Sequence, residues 1–255
     1  VSVVEIHGEG RVVRGVPSSA HRTGLFIGPS GLKGLQGLPA RRREALARPL
    51  SAGEYDVPVR LPARIVTIEP GVILGESEYD VQRWCDSVNG WGASGGRFPL
   101  SHNVDGDTRT INVRVIAAEG VNEQRRAGEH FYGRFMVQFH AADPRQYGTT
   151  ETYPVLTPGG TVKVESRGNY PAHPTVEIPD APSAWSVTSP AGTFTVSGVP
   201  AGGLHRLDTR TGRVYRDGVW LQDAGTGPLW AVPNGAEWEH SMSAPGRILL
   251  APTWI

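Results

Sequence analysis

The chain has 255 residues and carries 25 Lys and Arg against 25 Asp and Glu, so its formal net charge is zero; this removes the basic footprint of a dedicated nucleic-acid or anionic-membrane binder. A lone cysteine, Cys85, excludes an intrachain disulfide and any cysteine-built metal site. No run approaches the ~20 apolar residues needed to cross a bilayer, and the opening VSVVEIHGEGRVV lacks the layout of a signal peptide, so a soluble protein made in a cytoplasm is expected. Its 33 Gly and 21 Pro are dispersed between alternating apolar segments and read as turns between many short strands.

In chain order, strands are expected at 1–6 and 11–16. A long Gly-rich segment follows, from Gly28 to Asp56, containing Ala40-Arg41-Arg42-Arg43-Glu44-Ala45-Leu46. A structureless loop of that length inside a compact domain implies an arm or an interface. Arg41, Arg42, Arg43 and Leu46 are therefore candidate subunit contacts, the alternative for the arginine run being a solvated face. Strands at 57–61 and 64–69 precede one convincing helix over 78–89. There Ser77 caps, Asp80 answers it three residues on, and Val81, Trp84, Cys85 and Val88 recur at helical spacing before Asn89-Gly90. Strands at 109–117 and 131–140 follow. In the second of these Phe135, Val137 and Phe139 share one face, with Arg134, Met136, Gln138 and His140 on the other.

That strand stops at Ala141-Ala142-Asp143-Pro144-Arg145, and a seam after Tyr147 divides the chain into an N-terminal domain, 1–148, and a C-terminal domain, 149–255. The first reads as a β-sandwich or barrel flanked by a single helix. The second is denser in turns. Its strongest signal is Arg213-Val214-Tyr215-Arg216, Asp217-Gly218, Val219-Trp220-Leu221, a two-residue hairpin in which Asp-Gly supplies positive φ. Further short strands around Val162, Val176, Trp185, Phe194, Leu229 and Ile248 complete the pattern of a β-sandwich.

Enzyme readings are weak. His130, His140 and Asp143 invite a metal, but ten residues of one strand separate the histidines by ~33 Å. His102, Asp105 and Asp107 in HNVDGD lack the later ligands of a calcium loop and read as a turn. His205 and Asp208 have no serine in a nucleophile elbow to serve, Cys85 is placed on the buried helical face, and Gly90 to Gly96 lacks the ending of a phosphate loop. No cofactor, metal or catalytic residue is assigned. Five tryptophans, Trp185, Trp220, Trp230, Trp238 and Trp254, fall in the second half and are expected to be mostly core, since a small β module without disulfides needs large side chains to close it. Trp220 and Trp238 are kept as candidate glycan-stacking residues.

Several phrases together resemble the distal tail proteins (Dit) of long-tailed, non-contractile bacteriophages. They are Gly24-Leu25-Phe26-Ile27 leading into the arm, Ala63-Arg64-Ile65-Val66-Thr67-Ile68 before Gly71-Val72-Ile73-Leu74-Gly75, and Phe135-Met136-Val137-Gln138-Phe139 closing on Ala142-Asp143-Pro144-Arg145-Gln146-Tyr147. In the second half they are Val164-Glu165-Ser166-Arg167-Gly168-Asn169-Tyr170-Pro171, Leu207-Asp208-Thr209-Arg210-Thr211-Gly212 and Val232-Pro233-Asn234-Gly235. The resemblance implies a virion protein of the tail tip. Its N-terminal belt domain forms a hexameric ring that joins the tail tube to the hub or baseplate and lets DNA pass, and its C-terminal half is a galectin-like sandwich facing outward. Implied partners are further copies of the chain, the tail tube protein, the hub or tail-associated protein and a tail fibre or receptor-binding protein, with no sequence-specific nucleic acid and no membrane insertion. No active site belongs to the pattern, and no sugar-binding motif maps onto this chain. Two departures stand: the sequence opens on Val1 without an initiator Met, which leaves a short missing N-terminal stretch open, and the galectin-like half carries no sugar-binding motif; a carbohydrate-binding or host-adhesion module is the alternative from a different class.

Overall fold

The computed structural model describes residues 5–39, 61–104 and 106–255, together with 46–47, 52 and 54–55. The chain divides into two compact units, one ending at Gln146 and the other spanning Tyr147–Trp254.

The first unit contains β1 (Glu5–Gly8), β2 (Arg11–Arg14), β3 (Gly24–Ile27), β4 (Leu32–Lys33), β5 (Leu46–Ala47), β6 (Glu54–Tyr55), β7 (Arg64–Gly75), α1 (Glu78–Asn89), β8 (Phe98–Val104), β9 (Asp107–Ala127) and β10 (His130–Ala141). Seven of these strands pair in the order β10-β7-β3-β2-β1-β8-β9, and β9 pairs back onto β10. The sheet is therefore a closed barrel, which leaves no open edge along its circuit. Every pairing in it is antiparallel except β2 with β3. The alternation expected for 131–140 holds from Gly133 to Ala141: Phe135, Val137 and Phe139 are buried and their neighbours are not. They meet Val66, Ile68 and Ile73 of β7 and Ile111 and Val113 of β9 in one apolar interior, where Trp91 and Phe98 present their rings edge-on to Phe139 at 5.2 and 6.2 Å between centroids.

The helix starts and stops where its caps demand. Ser77 and Asp80 form a reciprocal capping box, and Val81, Cys85 and Val88 are buried. Its seat is made of glycines, one on each of three adjacent strands. A Cβ on Gly120 would lie 2.9 Å from Cys85 Cα, and one on Gly75 or Gly133 would lie 2.9 Å from a methyl of Val81. Only a strand surface lacking side chains at these three points lets the helix backbone come so close. Trp84, expected to be buried with the other three, is only half-buried and packs at the margin of the core.

Elsewhere the sequence-based reading needs correction. β3 and β8 are not among the strands expected from periodicity, and β7 and β9 run well beyond 64–69 and 109–117. Most of the expected strand 57–61 lies outside the described residues. His102 is not part of the HNVDGD turn but a buried member of β8; the turn itself is the β8–β9 hairpin, in which Val104 pairs with Asp107. The segment from Gly28 does not leave the barrel at once. Gly28 N–H donates to Pro70 O at 2.8 Å, Glu69 N–H to Gly31 O at 2.6 Å, β4 pairs with β7, and Leu35 is buried. Residues 28–35 are thus held to the barrel and are not part of an arm, contrary to the expectation of one arm over 28–56; most of residues 40–56 lie outside the described residues.

β11 (Gln146–Gly148) crosses the boundary at Gln146, and the second unit closes with β23 (Thr253–Trp254). Between them lie β12 (Glu151–Val155), β13 (Thr161–Glu165), β14 (Thr175–Ile178), β15 (Trp185–Ser189), β16 (Gly192–Val196), β17 (His205–Asp208), β18 (Arg213–Arg216), β19 (Val219–Leu221), β20 (Gly225–Thr226), β21 (Glu237–Met242) and β22 (Gly246–Leu250). They form two sheets, β12-β22-β14-β17-β18-β19 and β13-β21-β15-β16-β20. Val176, Leu207, Val214 and Ile248 of the first share a core with Val164, Val187, Phe194 and Met242 of the second, which makes a two-layer sandwich. The Asp217-Gly218 hairpin is as expected, with φ of 48° and 84° and Arg216 paired to Val219. Three tryptophans, Trp185, Trp230 and Trp254, are buried, Trp238 is half-buried, and Trp220 is 48% exposed.

Candidate functional site

Arg41, Arg42 and Arg43 lie outside the described residues. Leu46 opens β5, which pairs with β6 through Leu46 to Tyr55 and Ala47 to Glu54. Residues 34–35 are held by a buried polar cluster that the sequence did not disclose. Arg64, 2% exposed, donates from Nε to Pro144 O at 2.9 Å and from Nη1 to Gly34 O and Leu35 O at 2.8 and 2.9 Å. Gln146 donates to the same Leu35 carbonyl and accepts from His102 Nε2 at 2.9 Å. Burial pushes the Arg64 guanidinium below its ordinary pKa, and burial also lowers that of His102, against the hydrogen bond to Gln146 and with the help of nearby Arg109 and Arg64. The guanidinium thus ties residues 34–35 to residue 144, which are far apart in sequence.

The catalytic candidates come apart. Among the described residues no three His, Cys, Asp or Glu side chains converge as metal ligands. His205 and Asp208 do not form a dyad: His205 Nδ1 accepts from the Trp185 indole at 3.1 Å and its Nε2 faces Pro200 O at 3.1 Å, while Asp208 accepts from Arg210 N–H and the Thr211 hydroxyl. A second pair repeats the first motif. The Trp230 indole donates to His240 Nε2 at 3.1 Å, and His240 Nδ1 faces Trp238 O at 3.0 Å. Each imidazole accepts from an indole through one nitrogen and so must donate to a carbonyl through the other; both rings are neutral. Burial lowers both pKa values. The first pair spans the two sheets, from β15 to β17. These histidines are structural.

Trp220 and Trp238 do not share a surface. Trp238 sits on β21 in the five-stranded sheet, packed against the core; Trp220 sits on β19 at the edge of the six-stranded sheet, with the Arg213 guanidinium 5.0 Å from its ring centroid. What the structure brings to Trp220 instead is a row of cross-strand neighbours on the outer face of that sheet: Arg247, Glu177, Arg206, Tyr215 and Trp220. Glu177 is 2% exposed at the centre. Arg206 donates to its Oε1 from Nε at 2.9 Å and Nη2 at 2.6 Å, and Arg247 to its Oε2 from Nε at 2.8 Å. Burial opposes the Glu177 charge, but the bonds from Arg247 and Arg206 and their charges outweigh it and hold the carboxyl below its ordinary pKa. The alternation in Thr175-Val176-Glu177-Ile178 is visible in the sequence; partners 29 and 70 residues away are not.

No protein-family model matches the sequence, and no curated protein matches it. Solved structures do match over its full length. SPP1 Dit (gp 19.1), described as a paradigm of the hub adsorption apparatus in phages infecting Gram-positive bacteria, aligns with a TM-score of 0.74 at 15% sequence identity, over 100% of both chains. The chain has the Dit fold. A chain of the phage P2 baseplate in its activated, calcium-bound conformation also aligns, with a TM-score of 0.52 at 9% identity over 100% of this chain and 98% of that one. At such identities the Dit fold is what is shared, and it includes the helix-bearing barrel and the sandwich in the same order along one chain.

Proposed function

We propose that the chain is a structural, non-enzymatic protein of a bacteriophage tail tip, a distal tail protein. The observation that carries this reading is the end-to-end match to SPP1 Dit, in which neither chain is left with an unaligned domain. On this reading the N-terminal domain, residues 1–148, closes a hexameric ring between the tail tube and the hub or baseplate. The C-terminal domain, residues 149–255, is a galectin-like sandwich turned outward toward fibre or receptor-binding proteins. The ring is the passage for DNA, the virion tail tip is its location, and synthesis is in the host cytoplasm.

Two physical features support a ring-forming role. A ring needs two different complementary patches on each subunit, and the outer face of the barrel offers apolar side chains for one of them: Ile65 on β7 and Ile116 and Val121 on β9 are 50, 53 and 42% exposed. They flank β10, whose His140 pairs directly with Ile65. A zero formal charge also suits a lumen through which a polyanion must slide without being gripped. The test is negative-stain imaging with native mass spectrometry of the purified chain. Closed six-membered rings with a central hole are expected, and Ile65→Asp together with Ile116→Asp should leave monomers that still fold. A monomer at every concentration, with no density for the chain at a virion tail tip, would defeat the proposal.

A further inference from the structure

The row on the outer face of the six-stranded sheet has the construction of a binding platform. A carboxylate in the middle of a sheet face is costly to bury, and a threonine at 177 would fit the local alternation without that cost. Glu177 instead fixes two guanidinium groups, one on each adjacent strand. Arg206 and Arg247 remain 53 and 48% exposed in their side chains while Glu177 is 3%, so the acid is hidden and the two cations face solvent. Each arginine turns Nε and Nη2 toward Glu177, which leaves the Nη1 amino group of each to meet something outside. Arg213 lies further along the same face, over Trp220 and opposite Asp208, so Arg206, Arg247 and Arg213 stand against Glu177 and Asp208 and the face carries a net positive charge.

Beside the cations lies an aromatic surface. Tyr215 pairs directly with Arg206 and with Trp220. Trp220 is 48% exposed at the end of the row. At ~4.8 Å between neighbouring strands, Trp220 stands ~10 Å from Arg206 and ~19 Å from Arg247. Guanidinium groups held in place by Glu177 offer their outward Nη1 donors to a carboxylate or phosphate, and an indole face offers a flat apolar surface for a ring. A simple anion would use only the guanidinium groups, and a neutral sugar only the ring.

We propose that this face binds an acidic glycan, a saccharide chain carrying carboxylate or phosphate groups, with a sugar ring against Trp220 and an acidic group on the outward Nη1 groups of Arg206 and Arg247. Trp238, on the other sheet, takes no part. The inference rests on the sandwich alone and holds whether or not the barrel forms a ring.

The test uses the full-length chain and four probes: polygalacturonate oligomers for the carboxylate source, a sugar-phosphate polymer for the phosphate source, neutral dextran, and inorganic polyphosphate as a polyanion without sugar. Saturable quenching of tryptophan fluorescence is expected with one of the two acidic glycans, weakening as salt is raised, and the better of the two identifies the acidic group. Trp220→Phe, which keeps an aromatic ring on an exposed edge strand, should weaken binding about tenfold or less, and Trp220→Ala by more than that. Arg206→Lys with Arg247→Lys keeps both charges near Glu177 and removes the outward Nη1 donors; it should also weaken binding at least about tenfold while the chain stays folded by near-UV circular dichroism. Equal binding of polyphosphate, indifference to Trp220→Ala, or no binding of either acidic glycan by a folded chain would overturn the proposal.

Discussion

The Arg206–Glu177–Arg247 row makes an asymmetric prediction, because the same two ion pairs can be broken from either side. Glu177→Gln removes the buried charge and keeps its shape. The arginines, about half exposed, turn to water, so the loss is that of three charge-assisted hydrogen bonds less the desolvation that the carboxylate no longer suffers. That difference is roughly 1–2 kcal/mol. Arg206→Met with Arg247→Met breaks the same contacts but strands a carboxylate whose side chain is 3% exposed, and the cost at neutral pH rises to roughly 3–5 kcal/mol. The pH dependences have opposite signs. In the native chain the Glu177 pKa is depressed, so its stabilisation is complete above the ordinary glutamate value of 4.5 and is lost as pH falls through the depressed value. In the double arginine variant the unpaired carboxyl is raised instead. Its penalty is largest at neutral pH and shrinks as acidification protonates it in the fold. Denaturant titrations followed by tryptophan fluorescence at pH 7 and near pH 5 measure both. Equal costs for the two variants, or a stability gap between double variant and native chain that does not narrow on acidification, would refute the burial argument.

The second unit should lose stability as pH falls below about 6.5, the ordinary histidine value, because His205 and His240 are held neutral with depressed pKa values while the unfolded chain takes up protons there; near-UV circular dichroism against pH, with His240→Asn as the less pH-sensitive control, is the check. Gly120→Val should unseat the helix at a cost of roughly 1–3 kcal/mol, since even a Cβ would stand 2.9 Å from the Cys85 backbone, whereas Gly128→Asn, at φ 65° with nothing within 4 Å, should leave the melting temperature almost unchanged. Arg64→Met leaves the Pro144 and Gly34 carbonyls without that donor, so limited proteolysis should cut within residues 28–39 faster than in the native chain, and a cleavage rate equal to native would count against the anchoring.

The elements legible in the sequence are those whose signal is local. The Ser77 and Asp80 capping box, the Val81, Cys85 and Val88 stripe, the strict alternation of β10 and the Asp217-Gly218 turn each depend on residues a few positions apart, and each is found where periodicity places it. What escapes a sequence reading depends on distant partners. Strand β3 is four residues long, three of them buried, so it alternates with nothing; its identity as a strand comes from lying between β2 and β7. His102 reads as a turn residue because its neighbours Asn103 and Asp107 carry turn chemistry, while its own side chain is claimed by Gln146, 44 residues on. Residues 28–35 have the composition of a loop, and their order comes from Pro70, Arg64 and Gln146.

The same division explains why the candidate surfaces are harder to read than the fold. Aromatic content points to Trp220 and Trp238 together, but aromatic content is a one-dimensional property and the two residues sit in different sheets. The residues that accompany Trp220 in space, at 177, 206, 215 and 247, become neighbours only once the strand order β22-β14-β17-β18-β19 is fixed, and that order skips across the sequence twice. Hairpin contacts such as Tyr215 with Trp220 are predictable from the turn between them. The step from β14 to β22, which brings Arg247 to Glu177, is set by the sandwich as a whole, so the buried acid and its two exposed arginines are a property of the fold that no window of the sequence contains.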